Sequence, residues 1–479
     1  MPKQSAMNIK DYADVMECAR ILAEDTAAAE FVQTGYFSGV TVNPGHAVGN
    51  CRDGGECYAE GKPGKVQQNM VYDKVFYADN LHLLRNMTRM EEYRAKFNLI
   101  YIDPPFFTRQ DHNAVSRVGA GNVKHLAYND HRGSGKKDYL TGLAARLILM
   151  KDLLADDGLI WLHLDWHIVH YVKILMDEIF GEKNFINEVI WTYKSGGSGK
   201  RRFSRKHDNL LLYARSSKYK LNIPKEKSYN RMYKPYRFKG IEEYKDEQGW
   251  YTLVNMKDVW QIDMVGRSSK ERTGYATQKP ERLLKRIIEA STDEGDLCGD
   301  FFSGSGTLAA VSAECKRRFV ICDRSATAVG GSVERLTKEG RDFLVFEDPS
   351  LRAETRLQDC ESIGIEVIDS CGKNRPLKSR ECERSGFCEV YLIESETGDP
   401  VTDGRTLSDK PDGFHALDTI KYWAVDTDYD GKIFRPEAVF LREKGKLCTL
   451  CTIKKEKLFR KRVLIKVIDI FGNIFYELL

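Results

Sequence analysis

The sequence predicts an α/β protein whose central element is a parallel sheet with helices on both faces. Between Val71 and about residue 345, short apolar runs alternate with stretches that repeat apolar residues at helical spacing. Such alternation is typical of parallel strands joined by crossover helices. From residue 350 onward the apolar runs are shorter and turns more frequent, which predicts a separate β-rich accessory domain over 350–479. Residues 1–70 are predicted to form a helical and loop extension.

The predicted elements follow in order along the chain. An amphipathic pattern predicts a helix over about 8–30, and a glycine-rich loop runs from Asn43 to Gly64. Strands are predicted at 72–77, 97–102, 159–164, 297–302 and 318–322, and helices from about 80, over 139–155, up to 180, over 280–291 and over 308–316. The run Phe97–Ile102 is the clearest strand, because it is short, β-branched and aromatic and stops at Asp103 and two prolines.

Positive charge is concentrated in one segment of the chain. The 479 residues include 74 Lys or Arg and 70 Asp or Glu, a formal net charge of +4. Fifteen of these cations but only two acids lie between Lys194 and Lys239, where seven aromatic residues are interleaved with them. Cations neutralise phosphates and aromatic rings stack on bases, so the segment predicts contact with nucleic acid. A solvated basic surface is the alternative interpretation.

Composition excludes several classes of protein. With 42% hydrophobic and 30% charged residues, the chain is neither disordered nor collagen-like. No apolar run approaches the roughly 18 residues of a membrane helix, and the N-terminus lacks the apolar segment of a signal peptide. Twelve irregularly spaced cysteines do not indicate a disulfide framework. We therefore expect a reduced, cytoplasmic protein.

A glycine-rich turn, Asp300–Thr307, separates a predicted strand from a predicted helix. Gly304 and Gly306 allow the backbone to turn sharply and approach a ligand, and the N-terminus of the following helix offers free N–H groups. Asp323 ends the next strand, where an acid can accept both hydroxyls of a ribose. Both NAD and S-adenosylmethionine fit this pattern, and a turn that binds nothing is the third interpretation.

A second motif favours methyl transfer. Asp103, Pro104, Pro105 and Phe106 follow a predicted strand directly, at the edge where open α/β sheets bind ligands. The exocyclic amine of a nucleobase is a poor nucleophile, and a carboxylate and a fixed carbonyl that accept its two N–H bonds would localise its lone pair. The prolines keep these acceptors rigid, and Phe106 offers a face on which a flipped base can stack. A rigid turn with a solvated Asp103 is the alternative.

These motifs, in this order, resemble the amino-methylating DNA methyltransferases of the β arrangement, close to type III restriction-modification Mod subunits. In that family the catalytic tetrapeptide precedes the target-recognition region and the glycine motif follows it. Here the order is Asp103–Phe106, the basic segment, Thr277–Leu284 and then Phe301–Thr307, and the resemblance covers about 71–345. It implies a Rossmann-like, S-adenosylmethionine-dependent methyltransferase sheet over 71–345, with a basic target-recognition region inserted at 194–270.

The resemblance also implies roles for matching residues. Asp103, Pro104, Pro105 and Phe106 would be catalytic. Gly304 and Gly306 would line the methionine end of the cofactor and Lys279 would lie near its carboxylate. The full set of implied cofactor-binding residues is Asp79, Asn80, Gln278, Lys279, Pro280, Asp300, Phe302, Gly304, Gly306, Thr307 and Asp323. The candidate DNA contacts are Lys200, Arg201, Arg202, Arg205 and Lys206.

The target base is predicted to be adenine in double-stranded DNA, methylated at N6, because the motif begins with Asp and not Ser. N4-cytosine methylation remains the alternative, since its amine has similar geometry. The motif ends in Phe106 where many adenine enzymes have Tyr, and the following residues also depart from the family pattern. Two further interpretations are a catalytically silent subunit of a restriction complex and a nicotinamide dehydrogenase. Family precedent implies a homodimer, with a restriction endonuclease as a further candidate partner.

Metal sites are not predicted. Asp426–Glu437 matches a calcium-binding loop position for position, but the Trp423 strand-like run before it and Pro436 disfavour flanking helices, so we interpret it as an acidic hairpin turn. Cys382, Cys388, Cys448 and Cys451 have loose spacing for zinc, and Cys51 and Cys57 are weaker candidates. His163, His167 and His170 are predicted to be packing or helix-surface residues.

Overall fold

A computed structural model describes most of the chain. The described residues are 9–26, 31–37, 41–44, 72–107, 111–118, 121–129, 135–194, 201–266, 268–275, 277–351, 354–356, 363–369, 387–394, 416–442, 445–454, 458 and 461–479. Lys200, Cys51, Cys57 and Cys382 lie outside this set, so their predicted roles are not addressed by the structure. No helix among the described residues is long and apolar enough to cross a membrane.

The helices are α1 (Ile9–Asp25), α2 (Asn80–Met87), α3 (Lys136–Leu153), α4 (Val169–Phe180), α5 (Glu281–Ser291), α6 (Thr307–Glu314) and α7 (Ala326–Lys338), with short 3₁₀ turns at Glu182–Asn184, Arg231–Tyr233 and Ala416–Thr419.

The strands are β1 (Val32–Phe37), β2 (Thr41–Pro44), β3 (Asp73–Tyr77), β4 (Phe97–Ile102), β5 (Asp111–Val118), β6 (Gly121–Asn129), β7 (Leu154–Leu164), β8 (Phe185–Thr192), β9 (His207–Ala214), β10 (Lys225–Tyr229), β11 (Glu243–Lys245), β12 (Trp250–Asn255), β13 (Val259–Gln261), β14 (Leu297–Asp300), β15 (Arg318–Asp323), β16 (Phe343–Glu347), β17 (Glu354–Arg356), β18 (Ile363–Asp369), β19 (Phe387–Glu394), β20 (Ile420–Asp426), β21 (Ala438–Leu441), β22 (Leu450–Lys454), β23 (Leu464–Asp469) and β24 (Ile474–Leu478).

The largest sheet has ten strands in the order β1-β16-β3-β15-β14-β4-β7-β9-β8-β13. Its central six strands, from β16 to β7, are all parallel. The predicted parallel α/β sheet is therefore confirmed. Strands β1 and β9 are antiparallel to their neighbours, which makes the complete sheet mixed.

Helices cover both faces of this sheet, as predicted. Along β4, Ile100 and Ile102 pack into the core that contains residues of α1, α2, α3 and α4. Leu99 and Tyr101 point the other way, into the core with residues of α5, α6 and α7. This alternation follows from the two-residue period of a strand, and a strand buried on both faces reads as one continuous apolar run.

The basic segment is not entirely an insertion, contrary to the expectation from the sequence. Strand β9 lies inside that segment, yet it is a buried strand of the large sheet between β7 and β8. Strand β13 also joins this sheet, at its edge beside β8. Only β10, β11 and β12 form a small sheet of their own. Periodicity did not show β9, because it is apolar at successive positions and is flanked by charged residues.

The two terminal regions also differ from the predicted extension and separate domain. Strand β1 adds an antiparallel edge to the large sheet, and β2 pairs with β21 in a six-stranded sheet ordered β17-β24-β23-β20-β21-β2. Tyr422 and Ala424 of β20 pack into the same core as α7. A buried ion pair joins Lys466 to Glu347 at 3.6 Å. The β-rich C-terminal region is thus present, and it shares a core with the large sheet.

Candidate active site

Four aspartates lie in a row at the carboxyl edge of the large sheet. Asp103 follows β4, Asp300 ends β14, Asp323 ends β15 and Asp79 follows β3 by two residues. These four strands are consecutive neighbours and run parallel, so their ends meet at one edge. Ligands of open α/β sheets bind at this edge. The edge is therefore the candidate site, and it is strongly acidic.

The two oxygens of the Asp103 carboxylate have different surroundings. Lys279 Nζ forms an ion pair with Oδ2. Oδ1 is buried and has no hydrogen-bond partner among the described residues. The Nδ1 atom of His163 lies 4.0 Å from Oδ1, beyond hydrogen-bond distance. A buried carboxylate oxygen without a donor is costly, so this atom is poised to accept a hydrogen bond from a ligand.

The residues after Asp103 form a rigid, partly open surface. Pro104 is buried, and the carbonyl of Pro105 accepts a hydrogen bond from the Tyr139 hydroxyl at 2.6 Å. The Phe106 ring is half-buried, and Lys279 Nζ lies 5.3 Å from its centroid. Phe107 adopts a φ of 58°, in the left-handed region that residues other than glycine rarely occupy. The tetrapeptide thus presents one carboxylate oxygen and one aromatic ring at fixed positions.

The glycine-rich turn passes next to this surface. Gly304 and Gly306 have φ values of 47° and 68°, in the left-handed region that favours glycine. A Cβ on Gly306 would lie 2.6 Å from Ser332 Oγ, so there is no room for a side chain. The turn is held by carboxylates: Asp300 Oδ1 accepts the Phe302 N–H at 3.0 Å, and Asp323 Oδ2 accepts the Gly304 N–H at 2.9 Å.

Asp300 and Asp323, the two central carboxylates of the acidic edge, have raised pKa values. Burial raises the pKa of Asp300 well above its usual range, and the charges of Asp103 and Asp323 add to this effect although the Phe302 N–H opposes it. Burial also raises the pKa of Asp323. A ligand with a sulfonium and an ammonium group would supply positive charge there. The chemistry of the edge therefore fits S-adenosylmethionine.

Comparisons with known proteins agree with this geometry. The family model for N6/N4 methylases, described as DNA methylase, matches residues 97–334, a range that includes Asp103–Phe106 and the glycine turn. The chain belongs to this DNA methylase family. Its substrate is therefore DNA and its methyl donor is S-adenosylmethionine, as predicted from the sequence.

The curated relatives are restriction-modification methyltransferases. The type II methyltransferase M.EcaI of Enterobacter cloacae is 26% identical over 351 residues, which cover 61% of this chain and 75% of that protein. The EcoP15I Mod subunit of Escherichia coli is 26% identical over 165 residues, which cover 30% of this chain and 25% of that subunit. The solved structure of PvuII DNA methyltransferase, described as cytosine-N4-specific, is 13% identical with a TM-score of 0.38, and covers 59% of this chain and 89% of that one.

In this methylase, the segment Gln278–Pro280 connects the Asp103–Phe106 tetrapeptide to the glycine-rich turn. The Gln278 side chain accepts hydrogen bonds from the Thr273 N–H at 2.8 Å and hydroxyl at 3.0 Å, so it braces the preceding loop. Pro280 is the N-cap of α5. The Thr307 hydroxyl donates to the Lys279 carbonyl at 3.4 Å. The Lys279 ammonium contacts Asp103, whereas the family resemblance implied a position near the cofactor carboxylate.

Asp79 and Asn80 lie at the far end of the acidic row. Asp79 caps α2 by accepting the Leu81 N–H at 2.9 Å and pairs with Arg146 at 3.2 Å. Asn80 donates to the Phe301 carbonyl at 2.6 Å, which ties α2 to the glycine turn. Burial raises the pKa of Asp79, but Arg146, the Leu81 N–H and a second arginine lower it more, so the net pKa is below its usual value.

The predicted DNA-contacting residues lie at the start of the described basic segment. Arg201 and Arg202 are exposed, and Phe203 between them and Arg205 is 99% exposed. The Arg205 guanidinium stacks over the Trp166 ring at 3.4 Å. Trp166 follows β7 by two residues, so this contact attaches the basic segment to the carboxyl edge of the methylase sheet. Lys206 donates to the Lys194 carbonyl at 3.4 Å.

Sequence reasoning missed a buried polar group beside Asp103. His163, predicted to be a packing residue, has no exposed surface and hydrogen-bonds Tyr101 and Asp208. In the sequence, Asp208 stands out only as one of two acids in the basic segment. Its partner was not foreseeable because β9, which carries Asp208, was not predicted. The available signal was the position of His163 near the carboxyl end of a predicted strand.

The segment that matches a calcium loop uses its carboxylates internally. Asp426 accepts the N–H groups of Asp428 at 3.0 Å and Arg435 at 2.7 Å, and Asp430 pairs with Arg435 at 2.7 Å. Burial raises the pKa of Asp426 to about 6. Within the part of the chain that the structure describes, no three His, Cys, Asp or Glu residues are grouped to hold a metal.

Proposed function

We propose that this methylase transfers a methyl group to the exocyclic N6 of an adenine flipped out of double-stranded DNA. The observation that carries the proposal is the buried Oδ1 of Asp103, without a hydrogen-bond partner among the described residues, beside the half-buried Phe106 ring. One atom supplies a hydrogen-bond acceptor for an amine, and the ring supplies a stacking surface for a base. An Asp at position 103 favours adenine over cytosine.

The residues of the tetrapeptide act together on the amine. Asp103 Oδ1 and the Pro104 carbonyl accept its two N–H bonds and localise the nitrogen lone pair. Lys279, paired with the other oxygen, fixes the orientation of the carboxylate. Phe106 holds the base plane, and the two prolines prevent the acceptors from moving. The bound S-adenosylmethionine supplies an electrophilic methyl group.

The cofactor would be held along the acidic edge. Asp300 and Asp323 would face its cationic and ribose groups, while Gly304, Gly306 and Thr307 would leave room for its methionine end. Phe302 and Pro280 would pack beside it. Gln278, Asp79 and Asn80 would support these residues, because their side chains are bonded to the neighbouring loops and helices.

DNA contact is proposed for the basic segment, through Arg201, Arg202, Arg205 and Lys206 together with Lys200. The 194–270 region, with 350–479 as a second candidate, would read the sequence around the target. We also propose a homodimer and, as in restriction-modification systems, a restriction endonuclease as partner. Light scattering of the purified protein tests the dimer, since a monomer at micromolar concentration would contradict it.

The deciding experiment is methyl transfer from labelled S-adenosylmethionine to mixed genomic DNA, with hydrolysed nucleosides identified by mass spectrometry. We expect N6-methyladenine from the wild type. The Asp103→Ala variant should lose about 10²–10³-fold in rate, because a preorganised hydrogen-bonding group of this kind contributes about that much. Its affinity for cofactor and DNA should stay close to wild type. N4-methylcytosine would overturn the choice of base, and no methylated base would favour a silent subunit.

A further inference from the structure

A chain of buried polar side chains lies directly behind Asp103. The Tyr101 hydroxyl is 2.9 Å from His163 Nδ1, and His163 Nε2 is 3.3 Å from Asp208 Oδ2. The other oxygen of Asp208 accepts a hydrogen bond from Tyr193 at 3.1 Å. His163 is fully buried and Asp208 is 8% exposed. The proposed function assigns no role to this chain, although buried polar networks are costly unless every group is satisfied.

This row of hydrogen-bonded side chains ends at the carboxylate of Asp103. His163 Nδ1 is 4.0 Å from Asp103 Oδ1, the oxygen that has no hydrogen-bond partner among the described residues. Lys279 occupies the opposite oxygen. A hydrogen bond between these atoms needs a movement of only about 1 Å. The atom that faces the target amine is therefore also the atom that faces the imidazole.

Ionisable side chains surround the His163 ring. They are Tyr101 and Asp103 from β4 and its end, and Asp208 from β9; Lys279 lies beyond Asp103. Burial raises the pKa of Asp208, but its hydrogen bond to His163, the charge of Lys279 and the hydrogen bond from Tyr193 lower it, so it stays ionised. Burial raises the pKa of Tyr101 well above 10, so its hydroxyl stays protonated. Asp208 then accepts the Nε2 proton, and Nδ1 is left as a base.

Methylation of the amine releases one proton. The nitrogen lone pair forms a bond to the methyl carbon while the methyl–sulfur bond of the donor breaks and leaves its electron pair on sulfur. One N–H bond then breaks and leaves its electron pair on nitrogen. We propose that this proton passes to Asp103 Oδ1 and from there to Nδ1 of His163 as the Tyr101 hydroxyl rotates away, with Asp208 as the counterion of the imidazolium. The transfer restores the Asp103 carboxylate, and His163 acts through Asp103 as a positioning residue. This inference rests on the proposed function.

The test is the pH dependence of single-turnover methyl transfer in matched variants. The relay needs Nδ1 of His163 as a base, so the wild-type rate should fall toward acidic pH. Asp208→Asn removes the counterion of the imidazolium, so the plateau rate should drop about tenfold and the acidic limb should move to lower pH. Tyr193→Phe removes the other hydrogen bond of Asp208. It should change the plateau rate by no more than about twofold and leave the acidic limb in place. His163→Gln should abolish this limb.

A second measurement does not depend on turnover. The tautomer of the His163 ring can be read by nitrogen NMR of histidine-labelled full-length protein, assigned with His163→Gln, and we expect the proton on Nε2, which faces Asp208. Equal acidic limbs in Asp208→Asn and the wild type, or a neutral ring protonated at Nδ1, would overturn the relay. Absence of methylated bases from the wild type would instead overturn the proposed function.

Discussion

Two carboxylates at the centre of the sheet edge and two acids of the small basic sheet respond to their surroundings in opposite directions. At the edge, burial raises the pKa of Asp300 and Asp323. In the sheet of β10, β11 and β12, hydrogen bonds from Lys227 and then Tyr229 lower the pKa of the partly exposed Asp246 to about 2. The pKa of Glu243 is also lowered, chiefly by the Tyr236 N–H.

This difference separates the two tasks of the methylase. At the edge, Asp300 and Asp323 are largely withheld from solvent, so they suit a cationic cofactor, and Asp103 keeps one buried oxygen without a hydrogen-bond partner among the described residues. The small sheet uses its acids to hold its own strands. What it leaves exposed are cations and large apolar side chains, such as Met232 at 78% and Phe238 at 59% exposure. The comparison supports our proposal that the chemistry takes place at the buried edge and that the exposed basic region contacts DNA.

The largest effect is expected from Gly306→Ala, which should weaken cofactor binding at the sheet edge without a change in the basic segment. A Cβ at this position meets Ser332, and its φ of 68° is unfavourable for alanine. We expect a cost of about 1–3 kcal/mol in the turn, seen as a roughly 10- to 100-fold weaker affinity for S-adenosylmethionine by calorimetry. Gly266→Ala, where a Cβ meets nothing within 4 Å, is the control. Equal cofactor affinity in both variants would show that the turn does not bind the cofactor.

A smaller effect, on DNA affinity and not on cofactor affinity, is expected when Arg201→Ala is combined with Arg202→Ala. These exposed arginines would each neutralise a phosphate, so DNA affinity should fall about tenfold. The slope of log K against the logarithm of salt concentration should become less steep by about two. Affinity for the cofactor should not change. Lys218→Ala is the matched control, because Lys218 is exposed in the same segment but pairs with Asp156 at 2.7 Å. A control as damaging as the double variant would contradict a specific DNA contact.

The smallest effect is expected on the pH dependence of stability, from an aspartate away from the site. Asp73 begins β3 and accepts the Phe319 N–H at 2.8 Å, and burial raises its pKa to about 7. Because the folded state holds this proton more tightly than the unfolded state, its contribution to stability is present below about pH 4 and is lost as pH rises toward 7. Asp73→Asn has no carboxyl group to titrate, so this part of the decline in stability between pH 4 and 7 should disappear. Denaturant unfolding across this range measures it, and an unchanged slope would refute the assignment.

Much of the fold was predictable because its signals are local. The apolar run Phe97–Ile102 is a strand in the structure with the predicted bounds, and α5 and α6 begin within one residue of their predicted starts. Strands buried on both faces and helices with one apolar stripe carry these patterns in a single segment. The edge-strand roles of β1 and β2 were not predictable, since pairing with β16 and β21 depends on contacts hundreds of residues away.

The sequence by itself determined the α/β class, the order of the motifs and the residues Asp103–Phe106 and Asp300–Thr307, because each is a short pattern whose chemistry is readable in place. Only the tertiary structure decided what those residues face. It brought Lys279 to one oxygen of Asp103 and His163 near the other, and it placed Asp208 behind His163. Sequence spacing contains no information on these contacts, since they depend on which strand ends meet at one edge of the sheet.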